Sequence, residues 1–173
     1  MSLLTIITPA YNRAGFLPKL YESLLRQTSQ NFTWLVVDDG SSDGTSELIR
    51  RYRQENKIPI LYERQENAGK HVALNRGIAM IESELTYIVD SDDYLPEDAV
   101  AVILSCHEKY KDRPNLCGYS FLRCHSDGRV NTAYFPEDGK IDTYLHVRIN
   151  GNIGGDKAEV LSLIHISEPT RPY

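Results

Sequence analysis

The strongest constraint on this chain is an alternation. Four short apolar runs, LLTIIT (residues 3–8), TWLVVDD (33–39), IPILYER (58–64) and LTYIV (85–89), are separated by segments whose apolar residues recur at helical spacing. The helical sets are Phe16, Leu17, Leu20, Leu24 and Leu25, then Leu48, Ile49 and Tyr52. Next come Leu74, Ile78 and Ile81, and finally Val100, Ile103, Leu104 and His107. The first strand is expected to stop at Pro9. Asn12 is expected to cap the first helix, Ser42 or Asp43 the second, and Pro96 to open the fourth. A β-α unit repeated four times predicts an α/β fold, a mostly parallel sheet with helices on both faces. Beyond it, NLCGYSFLRC and RVNTAYF flank the turn HSDG and predict a β-hairpin, followed by the glycine-rich loop NGNIGGDK.

Composition narrows the function classes. At 173 residues the chain is one domain or most of one, with 41% hydrophobic and 25% charged residues. A formal net charge of -5 argues against a general nucleic-acid binder. Cys106, Cys117 and Cys124 are odd in number and lack C-x-x-C spacing, which disfavours a disulfide framework or a structural zinc site and fits a reducing cytoplasm. The N-terminus reads as a strand rather than a signal peptide, and no segment reaches the ~20 apolar residues of a membrane span.

The polar clusters all follow strands. TPAYNR follows the first, DDGSSDG the second, NAG the third and DSDD the fourth. In an open parallel sheet these positions share one edge, where ligands bind. Asp90, Asp92 and Asp93 lie almost side by side there. Two such charges about 4 Å apart repel by ~4 kcal/mol at an effective dielectric near 20. A divalent cation reverses the sign, since carboxylates are hard ligands suited to Mg2+ or Mn2+ and the ion can bridge them to a diphosphate.

Each residue also has a structural reading. Asp93 can cap the next helix, and Asp38 and Asp39 can be turn residues or bond a base or ribose. Ser41, Ser42 and Asp43 read mainly as turn and cap chemistry. Tyr11 either packs over the sheet edge or stacks on a base. Arg13 is a surface charge or a phosphate contact. Asn67, Gly69 and Lys70 either start a helix or present N–H groups and a cation to phosphate. His71 has no partner at metal spacing.

Together TPAYNR, VVDDGSSDGT, NAGKHVALNRGI and VDSDDYLPED resemble the family 2 glycosyltransferases, which have the GT-A nucleotide-diphospho-sugar transferase fold. The resemblance runs from Leu3 to about Val160. It implies that Pro9, Tyr11, Asn12, Arg13, Asp38 and Asp39 line the nucleotide pocket, with Asp39 reading the base edge. It implies that Asn67, Gly69, Lys70, Asn75 and Arg76 lie near ribose, diphosphate or sugar. Asp90 and Asp92 match the D-x-D metal motif, Asp92 as the direct ligand, and Asp93 would touch donor or acceptor. The implied chemistry is inverting transfer from a nucleotide-sugar, commonly a UDP-sugar, to the hydroxyl of a glycan or lipid-linked acceptor in capsular or cell-envelope polysaccharide synthesis. A cytoplasmic enzyme with peripheral association at the inner membrane face is expected of the complete protein.

The family's catalytic base is expected beyond Val160, with Asp156 a weaker candidate. The last stretch, LSLIHISEPTRPY, looks like a translated transposase-type sequencing adapter, so residues 1–160 are expected to be native and 161–173 not. A non-catalytic nucleotide-sugar-binding module is the competing class. A phosphoaspartate phosphatase or a receiver domain fits less well, because the D-x-D follows the fourth strand rather than the first or a middle one.

Overall fold

The computed structural model describes residues 2–114, 116–125, 129–130 and 157–162. The elements are β1 (Leu4–Ala10), α1 (Leu17–Leu25), β2 (Phe32–Asp38), α2 (Thr45–Glu55), β3 (Ile60–Arg64), α3 (Lys70–Ile78), β4 (Leu85–Ile88), α4 (Ala99–Tyr110), β5 (Gly118–Leu122) and β6 (Lys157–Ser162). The chain divides into a unit of residues 1–118 with 160–173 and a second unit of residues 119–159. Among the described residues no helix is long and apolar enough to cross a membrane.

Within the first unit the strand order is β3-β2-β1-β4-β6. The expected parallel sheet is present: β1 pairs in parallel with β2 from Leu4↔Phe32 to Ala10↔Asp38, and with β4 from Leu4↔Leu85 to Ile7↔Ile88. The chain moves from β1 outward through β2 and β3, then returns to the other side of β1 as β4. The strand order therefore reverses between β1 and β4, the position in such sheets beyond whose carboxyl ends ligands bind.

Two layers of helix cover the sheet. On one face Tyr21 of α1 stacks on Tyr52 of α2 and on Trp34 of β2, whose indole N–H donates to Thr8 Oγ1 at 3.1 Å. On the other, Ala73 of α3 packs into a core of Ile7, Leu35 and Val37, with Leu74, Ile81 and Ile88 against it. Gly77 permits that approach, because a Cβ there would fall 2.4 Å from Ile7 Cδ1.

Several local expectations are corrected. β1 runs through Pro9 to Ala10 instead of stopping at Pro9. Ile7 O accepts from Val89 N–H, so Pro9, two residues on, turns its N toward β4 just where that ladder ends and needs no N–H. Asn12 does not cap α1; it adopts φ 53, a region Asn tolerates, and bonds the neighbouring loop. For α2, Asp43 Oδ1 takes the Thr45 N–H while Ser42 has no such role. Pro96 precedes α4 by a turn rather than opening it, its carbonyl accepting from Ala99 N–H. Gln27 Oε1 binds the Val100 N–H at the helix start, a cap from a residue 73 positions earlier.

Of the hairpin, β5 and an antiparallel bridge Cys124↔Val130 fall within the described residues, with His125 N–H on Arg129 O. The remainder of its second strand and most of the glycine-rich loop lie outside them. β6 was not expected. It runs antiparallel to β4, crosses position 160, and pairs Leu161 with Thr86 and Ser162 with Leu85.

Candidate functional site

The loops at the carboxyl ends of β1, β2 and β3 are stitched into one body. The Asn12 N–H donates to Ser41 Oγ at 2.9 Å, and Asn12 Oδ1 accepts from the Ser42 N–H at 2.9 Å. The Arg13 and Ala14 N–H groups donate to Thr45 Oγ1 and Asp43 Oδ2. Gly40, at φ 80, lets the next loop close in, since a Cβ there would sit 2.9 Å from Asn67 N.

Asp38 and Asp39 are the centre of this body. Asp38 is wholly buried. Its Oδ1 accepts from Ser41 N–H at 2.8 Å, and its Oδ2 accepts from Tyr62 OH at 2.6 Å and Ser46 Oγ at 2.9 Å. Arg64 lies 3.6 Å from Oδ2. Burial pushes the carboxyl up, but the bonds from Ser41, Tyr62 and Ser46 outweigh it and hold it below the usual carboxylate range. Burial, then the bond to this carboxylate, pushes the Tyr62 hydroxyl up to about 12.

Asp39 is 4% exposed. Its Oδ1 accepts from Gln65 Nε2 at 2.7 Å and Ala68 N–H at 2.9 Å, and Oδ2 from Gly69 N–H at 2.8 Å. Burial raises this carboxyl also, and the Ala68, Gln65 and Gly69 donors more than offset it. Asp39 therefore shapes the Asn67–Gly69 loop and fixes the start of α3, a task that its sequence position did not announce.

The acidic turn after β4 is built differently. Asp90 is half-exposed and Asp92 exposed, and the Asp93 N–H closes a turn on Asp90 O at 3.1 Å. Lys70 Nζ lies 2.6 Å from Asp90 Oδ1, joining the first residue of α3 to this turn. Among the described residues Asp92 shows no hydrogen bond or ion pair. Its oxygens and those of Asp90 are the donor set on this edge that suits a hard dication, the type that Mg2+ takes as one or two carboxylates plus substrate phosphates. By donor chemistry those two carboxylates suit such an ion, while among the described residues no group of three or more His, Cys, Asp or Glu is gathered to hold one.

The other expected residues divide. Pro9 is the penultimate residue of β1 at the edge, and Tyr11, just past the strand, is 49% exposed. The Arg13 guanidinium lies 5.2 Å from the Phe16 ring centroid. Asn67 is exposed in its loop and Asn75 on α3. Arg76 is engaged by Glu63 of β3 rather than joined to the Lys70–Asp90 pair. Asp156 lies outside the described residues. Sequence reasoning missed Tyr62, Ser46 and Gln65 as holders of the two aspartates, and Ser23 and Gln27 as holders of the turn before α4. Ser23 Oγ accepts from Leu95 N–H at 3.1 Å, and Gln27 Nε2 donates to Pro96 O at 2.6 Å. A polar residue within an apolar helical stripe was the available signal for Ser23; Gln65 offered none.

The model of Glycosyl transferase family 2 matches residues 5–135. Chondroitin synthase of Pasteurella multocida is 33% identical over 122 residues, 70% of this chain and 12% of that protein. A crystal structure of S. aureus TarS 1-349 in complex with UDP superposes with a TM-score of 0.61 at 26% identity, over 70% of this chain and 35% of that one. The mannosyltransferase PcManGT from Pyrobaculum calidifontis, in complex with GDP-Man and Mn2+, gives 0.62 at 25% identity, over 70% and 36%. The first three curated relatives it matches are longer proteins, of which the chain spans 42%, 14% and 59%. With the family's sequence pattern running through four loops on one edge of a GT-A-like sheet, this chain belongs to glycosyl transferase family 2.

Proposed function

We propose that the chain is the donor-binding part of an inverting, divalent-metal-dependent glycosyltransferase. It would move a sugar from a UDP-sugar to a hydroxyl of a glycan or lipid-linked acceptor, in the assembly of a cell-envelope or capsular polysaccharide. One observation carries the reading: a rigid three-loop platform stands beside an open acidic turn at the sheet's switch point, and Lys70 spans the two. Relatives that bind UDP, or GDP-Man with Mn2+, and a polysaccharide synthase among them support the donor class, the metal and the product class.

In this reading the exposed Tyr11 ring stacks on the base, beside Pro9. Asp39 keeps an oxygen lone pair for the base edge while its other acceptor positions hold the loop. Asn67, Gly69 and Lys70 face the diphosphate. Asp90 and Asp92 would hold Mg2+ or Mn2+, and Asp93 would contact donor or acceptor. When bound, the dication would offset charge on the departing nucleoside diphosphate. A single displacement at the anomeric carbon inverts it, with a carboxylate taking the acceptor proton. That base is proposed beyond Val160. The complete protein would work in the cytoplasm, at the inner membrane face where lipid-linked acceptors are reached.

Binding rather than turnover is therefore the test for these 173 residues. Thermal shift with UDP and GDP, each with and without Mn2+, is expected to give a UDP shift that needs the metal and weakens in Asp92→Asn. A UDP shift indifferent to metal, or none with any nucleotide, would remove the reading.

A further inference from the structure

Building on that donor-site reading, we infer that Lys70 is a resident counter-ion for the acidic turn, exchanged for the dication when donor and metal arrive together. Three observations bear on it. Lys70 Nζ contacts Asp90 Oδ1 at 2.6 Å, so one carboxylate of the D-x-D pair already has a cationic partner within the chain. The Lys70 backbone is fixed independently of that contact, because Gly69 and Ala68 N–H groups are held by Asp39. The Lys70 and Asp90 side chains remain 57% and 39% exposed, which keeps the pair weak and the long lysine stem free to turn.

The consequence is a coupling. Without a nucleotide, an incoming dication displaces Lys70 from Asp90 and leaves its ammonium beside a second cation with no anion to receive it. With a diphosphate present, the ammonium transfers to phosphate and the carboxylate is released to the metal. Nucleotide therefore raises metal affinity, and metal raises nucleotide affinity by the same factor. Lys70 contacts the donor in this scheme, and its role is visible in binding alone.

Mn2+ binding followed by electron paramagnetic resonance, with and without UDP, tests this on the full chain. In the wild type, UDP should tighten Mn2+ binding by roughly tenfold. In Lys70→Met, Mn2+ alone should bind roughly fivefold more tightly than to wild type, because the competitor is gone. The gain from UDP should shrink in the same variant. Lys70→Arg, which keeps the charge, should retain most of the coupling. If Lys70→Met binds Mn2+ alone no better than wild type while UDP still tightens both equally, the exchange is overturned and the donor site stands. If wild type takes up no Mn2+ even with UDP, the donor-site reading fails and the exchange fails with it.

Discussion

Two acidic clusters sit at the same sheet edge and are built in opposite ways. Asp38 and Asp39, after β2, are buried and together accept six hydrogen bonds from the chain itself. Asp90 and Asp92, after β4, are open to solvent, and Lys70 pairs with Asp90 by its ammonium. A buried carboxylate survives only when fixed donors replace its water shell. An exposed one keeps its water and can trade it for a ligand. Identical residue types thus divide into a frame and a docking point.

The comparison breaks first at Asp38. Asp38→Ala strands the Ser41 N–H and the Tyr62 and Ser46 hydroxyls, and should cost about 3 kcal/mol. That corresponds to a fall of roughly 10 °C in Tm. A loss no larger than that of Asp92→Asn would erase the distinction between the clusters.

Asp39→Ala comes next, at about 2 kcal/mol, because it releases Gln65, Ala68 and Gly69. Hydrogen exchange should rise at Ala68 and Gly69 before it rises in the core, separating loop release from global unfolding.

Acid sharpens the contrast further. Both buried carboxyls are held below their ordinary values when folded, so the unfolded chain binds more protons at low pH. Their stabilisation is complete above the unfolded value, about 4, and is lost as pH falls through the lower folded values. Chemical denaturation at pH 3 and pH 7 should show Asp39→Asn narrowing its deficit relative to wild type at the lower pH. A deficit constant across that range would mean that these carboxyls are not depressed.

The smallest effect on stability belongs to Asp92→Asn. It should move Tm by no more than about 2 °C, in line with a surface substitution of ±0.5 kcal/mol. The same variant should lose most of the Mn2+-dependent UDP shift. A destabilised Asp92→Asn would make the turn structural like the other cluster.

The alternation of apolar periods was sufficient for the parallel sheet, for β1 through β4 and for the edge on which every polar cluster lies. Boundaries failed where distant atoms intervene. Pro9 stays in β1 because β4 ends beside it, and α4 starts at Ala99 with a cap from Gln27. β6 was invisible because an antiparallel ladder uses backbone groups that any extended stretch supplies, Leu161 and Ser162 included.

The sequence alone determined which residues can meet, since strand and helix periods are local and parallel strands bring their ends to one edge. Only the tertiary structure decided which aspartates are spoken for. Asp38 is bonded by Tyr62, 24 positions away, and Asp39 by Ala68 and Gly69, 29 and 30 away. Donors that far off in the chain leave no trace beside the carboxylate they hold, so burial and hydrogen bonding had to be seen in space.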